Sequence, residues 1–584
     1  MSTIWVKELT GGLDARRLPE TTSGGVLIRG TDGHINRGGE FEKRAAFVPT
    51  YALPDGTVSL AAGAAGVGIY VFGSASTPAG IPSGVTYQRL QNGSATLLKV
   101  ASYDLYSGLI YAAGEYSDGT RKHYYNGTLV SDWVDGRARA TFQVTGKTGG
   151  TISVAVNGIT IVSGAISWGT SNSATATAIA ADINTYASAP NYTAVAFGEY
   201  VTVIAPTAQT ADNGLSVVFT LASGATVDPA VGLTLQGGID TTFPEPGSFV
   251  KTIGSKVYTT AGPYLVFSGI QTPTNWTSAQ GAGFVDMSRS TSGSENLTAL
   301  ADYQNFTAIL AERVIQVWTI ASDPSTNLRQ QILRNTGTAS PRSVTQFGDA
   351  DVFYLDESGL RSMRARDASN SAATTGIGVK VDPLIVAKLR SLSADERALV
   401  IGLIEPQDGR FWLIMKDVIY VFTYFPEEKV SAWTSYSPHY FDANGNRVDF
   451  NVDDAVVYNR RVYLRSGNTI FVYGGLETGT ATDQTEAEAW PPYLYGDEPA
   501  VKKRWKSFDA AVLGQWAVSA AMSLRDTNEE EPVAVVTRTT YNEEKLAGIG
   551  ESTHLSLRFR SQGTGERKLS AFAIHYDKDE TDQA

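Results

Sequence analysis

The chain has 584 residues, 42% hydrophobic and 18% charged, with 58 glycines and 10% aromatics, so it exceeds the size of a single core and should divide into several turn-rich globular domains. A net charge of −12 excludes a general nucleic-acid binder with a basic footprint, though not a surface past which DNA moves without sticking. The absence of cysteine excludes disulfide scaffolds, thiolate zinc sites, iron–sulfur clusters and cysteine nucleophiles.

The opening MSTIWVKELTGGLDARRLP lacks the apolar core of a signal peptide, and no apolar run approaches the ~20 residues of a membrane span. Synthesis in the cytosol, with no integral membrane segment, is the expectation. Short strands follow at Val67–Gly73 and Gly108–Tyr116. Asn126–Gly127 then marks a hairpin, because both residues tolerate positive φ. Later segments repeat one grammar, in which a strand meets a polar turn and an aromatic-rich strand returns. The turns fall at Asp302–Asn305, Glu357–Gly359, Asn459–Arg461 and Gly467–Asn468. Hairpins at intervals of roughly 40–50 residues match the period of a propeller blade. A lone hairpin cannot bury both faces, so neighbours must stack. On this reading Trp276, Trp318, Trp412 and Trp433 wedge between about six or seven blades; a series of β-sandwiches would show the same hairpins.

Residues 141–240 break the repeat, holding only Lys147 and the five acids Asp182, Glu199, Asp212, Asp228 and Asp240. Within them SNSATATAIAADINTYASAP predicts a helix with Ser171 or Ser173 as N-cap. Ile179, Ile183 and Tyr186 share one face, and Pro190 is the stop. Flanking strands, one with an Asn-Gly hairpin, make this an α+β module inserted in a propeller loop. Further on, Pro383 opens a second helical stretch and Ser393 caps a third, with Glu396 at N3. After about residue 480 a linker leads to long segments of period two, a terminal β domain. The expected fold is therefore mainly β. It has an N-terminal segment with the first blades (1–140), the inserted module (141–240), the remaining blades (241–480) and a C-terminal antiparallel β domain (481–584).

Little in the chain points to chemistry. His34, His123, His439, His554 and His575 show no metal-ligand spacing, and His554 and His575 read as surface or core-edge residues on strands. The glycines of AAGAAGVG (Ala61–Gly68) lack the Lys-Ser/Thr and the helix of a phosphate loop. Glu115 with Asp118, and Asp351 with Asp356 and Glu357, are the pairs that could supply an acid and a nucleophile. They sit in or beside turns, where solvated acids are the default, and none has the Ser-x-Asp-x-Gly-x-x-Trp form of sialidase-like propellers. No catalytic, cofactor-binding or metal-binding residue is assigned.

Five stretches carry a resemblance. Gly11–Phe47 (GGLDARRLPETTSGGVLIRGTDGHINRGGEFEKRAAF), Tyr264–Ser288 (YLVFSGIQTPTNWTSAQGAGFVDMS), Arg334–Met363, Leu403–Met415 and Ser552–Tyr576 resemble, in this order, the tail nozzle proteins of short-tailed bacteriophages (the T7-type tail tubular protein B family). The likeness covers about two-thirds of the chain and excludes the module. It implies a non-enzymatic structural protein of the virion tail, made in the cytoplasm of the bacterial host. Such a protein would be a homohexamer without cofactors that retains and then conducts double-stranded DNA, beneath an adaptor ring and beside fibres or tailspikes. Within the resemblance, Pro273 and Trp276 would fix a blade-to-blade connection. The competing reading is a glycan-binding or glycan-cleaving propeller.

Overall fold

In the computed structural model, which describes residues 2–133, 136–146, 149–238, 246–277, 281–287, 295–321, 326–348, 351–365, 372–496, 498–541 and 548–578, the hairpins assemble into seven small sheets around one axis. Blade one is Val58–Ala62, Ile69–Gly73 and Val85–Arg89, with the third strand parallel to the second. Blade two is Leu97–Tyr106, Leu109–Tyr116, Arg121–Tyr125 and Thr128–Leu129. Blades three to five follow as four-stranded antiparallel sheets beginning at Val250, Leu297 and Thr345, and blade six as four antiparallel strands from Ile401 whose last one joins the terminal domain's sheet through Ser435 and Thr31. Blade seven takes Asp454–Tyr458, Arg461–Ser466 and Thr469–Tyr473 from late in the chain and Phe47–Ala52 from its beginning.

That composite blade closes the ring. The innermost strand of blade one touches those of blades two and seven, and contacts continue blade by blade from two to seven. The fold is a seven-bladed β-propeller. Each seam is apolar, as twisted sheets packed face to face require. Trp276 is buried with Tyr111 and Val266 between blades two and three, and Trp318 with Leu265 and Ile309 between three and four. Trp433 lies with Phe353 and Phe411 between five and six, and Trp412 with Phe47 and Leu464 between six and seven. All four predicted wedges are wedges.

The local signals hold where turn chemistry decides. Asn126 and Gly127 take φ of 48° and 78°, and Asn157 and Gly158 take 48° and 81°, the pair of left-handed residues a two-residue hairpin needs. The module helix spans Asn172–Thr185, and Ser171 Oγ accepts from Ala174 N. Ile179 and Ile183 are buried, but Tyr186 follows the last helical residue and is exposed, so it does not extend the apolar face. Strands at Arg139–Val144, Tyr200–Ile204, Thr151–Val156 and Val217–Ala222 close a core of the module's own. Ser393 and Glu396 form the expected reciprocal cap on a short helix, Ala394–Ala398.

The Pro-Thr-Asn-Trp turn joins two strands of blade three, Tyr264–Phe267 and Gly283–Asp286, rather than two blades. The expected blade-to-blade role is met differently. Asp132, in the chain leaving blade two, accepts from Trp276 N at 2.7 Å and Thr277 N at 3.1 Å.

The last part of the chain is an antiparallel β domain built on one bent strand, Lys503–Ala521. Its first half pairs with Lys568–Lys578 and Gly550–Ser552, its second with Ser556–Ser561 and Glu531–Arg538. At the irregularity between these halves Gly514 has φ +78°, and a Cβ there would lie 2.4 Å from Arg567 Cδ. Strands of residues 2–43 pair with this domain, while Gly12–Leu13 pack against blade six. Ser2–Val6 and Phe41–Lys43 pair with Lys568–Lys578, and Arg29–Thr31 pairs with Glu488–Trp490. No helix among the described residues is long and apolar enough to cross a membrane.

Candidate functional site

The two carboxylate sets singled out from sequence are held by the fold in different ways. Glu115 lies on a strand of blade two and pairs with Lys99 at 3.1 Å and Arg121 at 3.5 Å. Asp118 sits in the following turn, accepting from Thr120 N at 3.0 Å and Thr120 Oγ1 at 2.7 Å, and these bonds hold its carboxyl below the usual range. In blade five, Asp351 and Asp356 are the first and last residues of one strand. Five steps of ~3.3 Å place them ~16 Å apart along it, beyond the ~5–9.5 Å between glycosidase carboxyls.

Asp351 is half-buried, and burial raises its carboxyl despite Arg364 nearby. Asp356 instead organises the turn, accepting from Ser358 N at 2.9 Å, Ser358 Oγ at 2.6 Å and Gly337 N at 3.2 Å. Glu357 is exposed and faces Arg313 at 3.9 Å. Asp356 and Glu357 border a cleft of about 290 Å³ with Arg390 and Arg397. The fold thus brings adjacent acids to one small cleft and leaves the third at the far end of a strand.

The histidines are dispersed. His123 is buried among Tyr111, Trp133 and Trp276 and hydrogen-bonds Gly247 O at 2.8 Å. Burial lowers its pKa to about 4. His34 and His439 are buried in the joint between propeller and terminal domain, where burial lowers both. His554 precedes a strand rather than lying on one. His575 lies on the strand Lys568–Lys578, between Thr3 Oγ1 and Asp509 Oδ2, at 3.0 Å from each. Among the described residues no group of three His, Asp or Glu could hold a metal ion.

One arrangement was invisible in the sequence. Arg342, in the turn before blade five, pairs with Asp454 on the innermost strand of blade seven, so the contact passes over blade six. Asp454 also accepts from Leu60 N of blade one at 2.7 Å and Ala455 N at 2.8 Å. Beside it Arg465 donates to Ser59 O at 3.3 Å and to Thr57 O. This buried carboxylate thus ties three blades at one end of the axis, next to a cleft of about 310 Å³ that Lys99 and Asp453 also line. The pairing depends on residues 112 positions apart, for which local sequence carries no signal.

No family model and no curated protein matches the chain. Solved structures similar in part include BamB from Moraxella catarrhalis, 10% identical over 66% of this chain and 94% of that one with a TM-score of 0.24. The N-terminal domain of Nup159 is 12% identical over 59% and 86%, at a TM-score of 0.22. Hsv2 from Kluyvelomyces marxianus is 8% identical over 45% and 70%, at 0.23.

Proposed function

We propose that the protein is a structural component of a short-tailed phage virion, the distal tail tube, built as a homohexamer that retains and then conducts double-stranded DNA. It would sit beneath an adaptor ring and carry or abut fibres or tailspikes. The resemblance supports this through five stretches in chain order: the N-terminal arm, blade three, the entry to and first strands of blade five, blade six, and the terminal domain. The structural observation that carries the reading is the Arg342–Asp454 pair at the propeller axis. With neighbouring inner strands in contact and this pair across one end, the blades serve as a rigid wall. DNA would pass between copies rather than through one. A net charge of −12 per copy suits a passage that does not grip phosphate.

A glycan-binding propeller is the second reading, favoured by one feature. Arg139, Thr141 and Gln143 alternate along a strand of the module. They border a cleft of about 730 Å³ with Tyr200, Asp228 and, from blade three, Phe284. Aromatic surface beside amide and carboxylate groups is suited to sugar. Mass measurement separates the two readings. The tail-tube reading expects a complex of six chains, or rings by electron microscopy once adaptor is added. A stable monomer that binds oligosaccharide, or a turnover assay with a clear product that D351N/D356N/E357Q abolishes, overturns it.

A further inference from the structure

The chain passes between the propeller and the terminal domain with its N-terminal arm twice, once from Lys43 to Phe47 on the way into blade seven and once from Gly474 to Ala487 on the way out. The two crossings are laced together. Ala46 N donates to Ala481 O at 2.7 Å, Gly474 N to Ala46 O at 2.8 Å and Ala481 N to Gly474 O at 3.0 Å. His439, just past the last strand of blade six, is fully buried where they meet. Its Nδ1 lies 2.8 Å from Ser437 O, and its Nε2 lies 3.1 Å from Thr485 Oγ1 of the outgoing crossing. Arg44 Nη2, from the incoming crossing, lies 3.2 Å from Nδ1 and 3.3 Å from Nε2.

A carbonyl only accepts, so Ser437 O fixes the ring proton on Nδ1 and leaves Nε2 as the acceptor for the Thr485 hydroxyl. The guanidinium of Arg44 only donates, so a second ring proton would set two buried cations against each other. The other charged groups around the ring are already engaged. Asp32 accepts from Arg44 Nε at 2.7 Å and from Ser437 N at 3.0 Å. Arg447 and Asp449, on the strand paired with that of His439, bond each other at 2.8 Å. From the outgoing crossing, Asp483 accepts from Thr485 N at 3.0 Å and acts on Lys43. Burial first, and then Arg44, hold the pKa of His439 below its ordinary value, with Asp32 opposing them in part.

We propose that His439 is an acid-sensitive latch on the two crossings: neutral, it holds Arg44 and Thr485 to blade six, and protonated, it repels Arg44 and releases both. The sign follows from linkage. The opened ring takes up its proton near pH 6.5, whereas the closed ring resists it. The latch is therefore whole above pH 6.5, and each pH unit below favours opening about tenfold until the closed ring also titrates. Opening is local, because Phe425, Val430 and Ala432 of blade six stay packed in an apolar core with Leu27 of the arm and Trp505 of the terminal domain. Release concerns the crossings and not the whole joint.

The test uses the full chain and hydrogen–deuterium exchange at pH 7.5, 6.5 and 5.5, read as protection corrected for the intrinsic pH dependence of amide exchange. Protection of the Ala46, Gly474 and Ala481 amides should fall about tenfold between pH 6.5 and 5.5, while Ile309 and Leu310 in blade four should keep theirs. In His439→Gln a side-chain amide oxygen can still accept from Thr485 but gains no proton, so the crossings should stay protected throughout. His34, which bonds Tyr436 of blade six at 2.9 Å, is present in both proteins, so the difference belongs to His439. Should that variant not fold, ring ¹⁵N spectra of wild-type histidines supply the second readout. One ring, assigned by its shift in Thr485→Val, should be neutral with its proton on Nδ1 at pH 6, and a charged or Nε2–H ring there would overturn the proposal. Unchanged protection at the crossings, an equal fall in blade four, or an equal fall in His439→Gln would overturn it as well.

Discussion

Trp276 and Trp412 occupy equivalent seams and are both fully buried, yet their indole nitrogens differ. Trp276 Nε1 donates to Pro273 O at 3.1 Å, whereas Trp412 Nε1 has no partner among the described residues. Replacing either by Ala should cost about 3–5 kcal/mol. Replacement by Phe should separate them. Trp276→Phe strands a buried carbonyl, while Trp412→Phe removes a donor already unmet, so Trp276→Phe should lose about 1–2 kcal/mol more in urea unfolding.

His123 makes a second residue-scale prediction. Burial holds it neutral in the fold, with a pKa of about 4, whereas the unfolded chain binds that proton near pH 6.5. Its contribution is complete above pH 6.5 and is lost as pH falls toward 4, at about 1.4 kcal/mol per pH unit once the unfolded ring is charged. Unfolding midpoints of His123→Gln and wild type, compared between pH 7.5 and 5, should show a shallower acid loss in the variant. Parallel slopes would refute the assignment. The sequence placed Trp276 and Trp412 correctly because large aromatics at a fixed place in a repeat have only the seam to occupy. It could not place His123, whose burial depends on Gly247 and two tryptophans reaching it from other turns.

Elements show where local chemistry suffices. Asn-Gly turns, the Ser393–Glu396 cap and the Ser171 cap formed as read, since each is decided within a few residues. Ser393→Ala should cost about 1 kcal/mol by removing an oxygen that accepts from Glu396 N at 3.3 Å. Blade seven depends instead on distant segments. Val472 lies on a strand flanked on one side by Arg461–Ser466 and on the other by Phe47–Ala52. A proline there removes a ladder hydrogen bond whichever neighbour its N–H faces. Val472→Pro should therefore cost about 3 kcal/mol or more and expose the 47–52 segment to limited proteolysis. Wild-type protease resistance in that variant would contradict closure of the ring through the 47–52 segment.

For the whole molecule, the Arg342–Asp454 pair is the contact on which the axis depends. Arg342→Met leaves a carboxylate that is nearly buried, still bonded to Leu60 N and Ala455 N and with Arg465 beside it, but without its ion-pair partner. The loss should be about 1–3 kcal/mol, measured by denaturant unfolding, because Arg465 and two backbone donors still meet the carboxylate. Arg342→Met with Asp454→Asn should recover part of it, a coupling absent from any pair that merely shares a surface.

What the sequence by itself determined was everything governed by short range or by repetition. This covers the β class, the recurrent hairpins, the wedge tryptophans, the charge-poor module with its own helix, and the absence of thiol chemistry. Only the tertiary structure decided the number seven, the pairing of residues 47–52 with 469–473, the pairing of the N-terminal strands Ser2–Val6, Arg29–Thr31 and Phe41–Lys43 with the terminal domain, and the separation of Asp351 from Asp356. It also decided that Arg342 would cross to Asp454 and that Lys43 would be buried at the joint between propeller and terminal domain. The reason is geometric. A turn or cap minimises its energy among neighbours in the chain. A ring closes only when its first and last strands meet, and a buried charge acquires its surroundings only when separate units have docked.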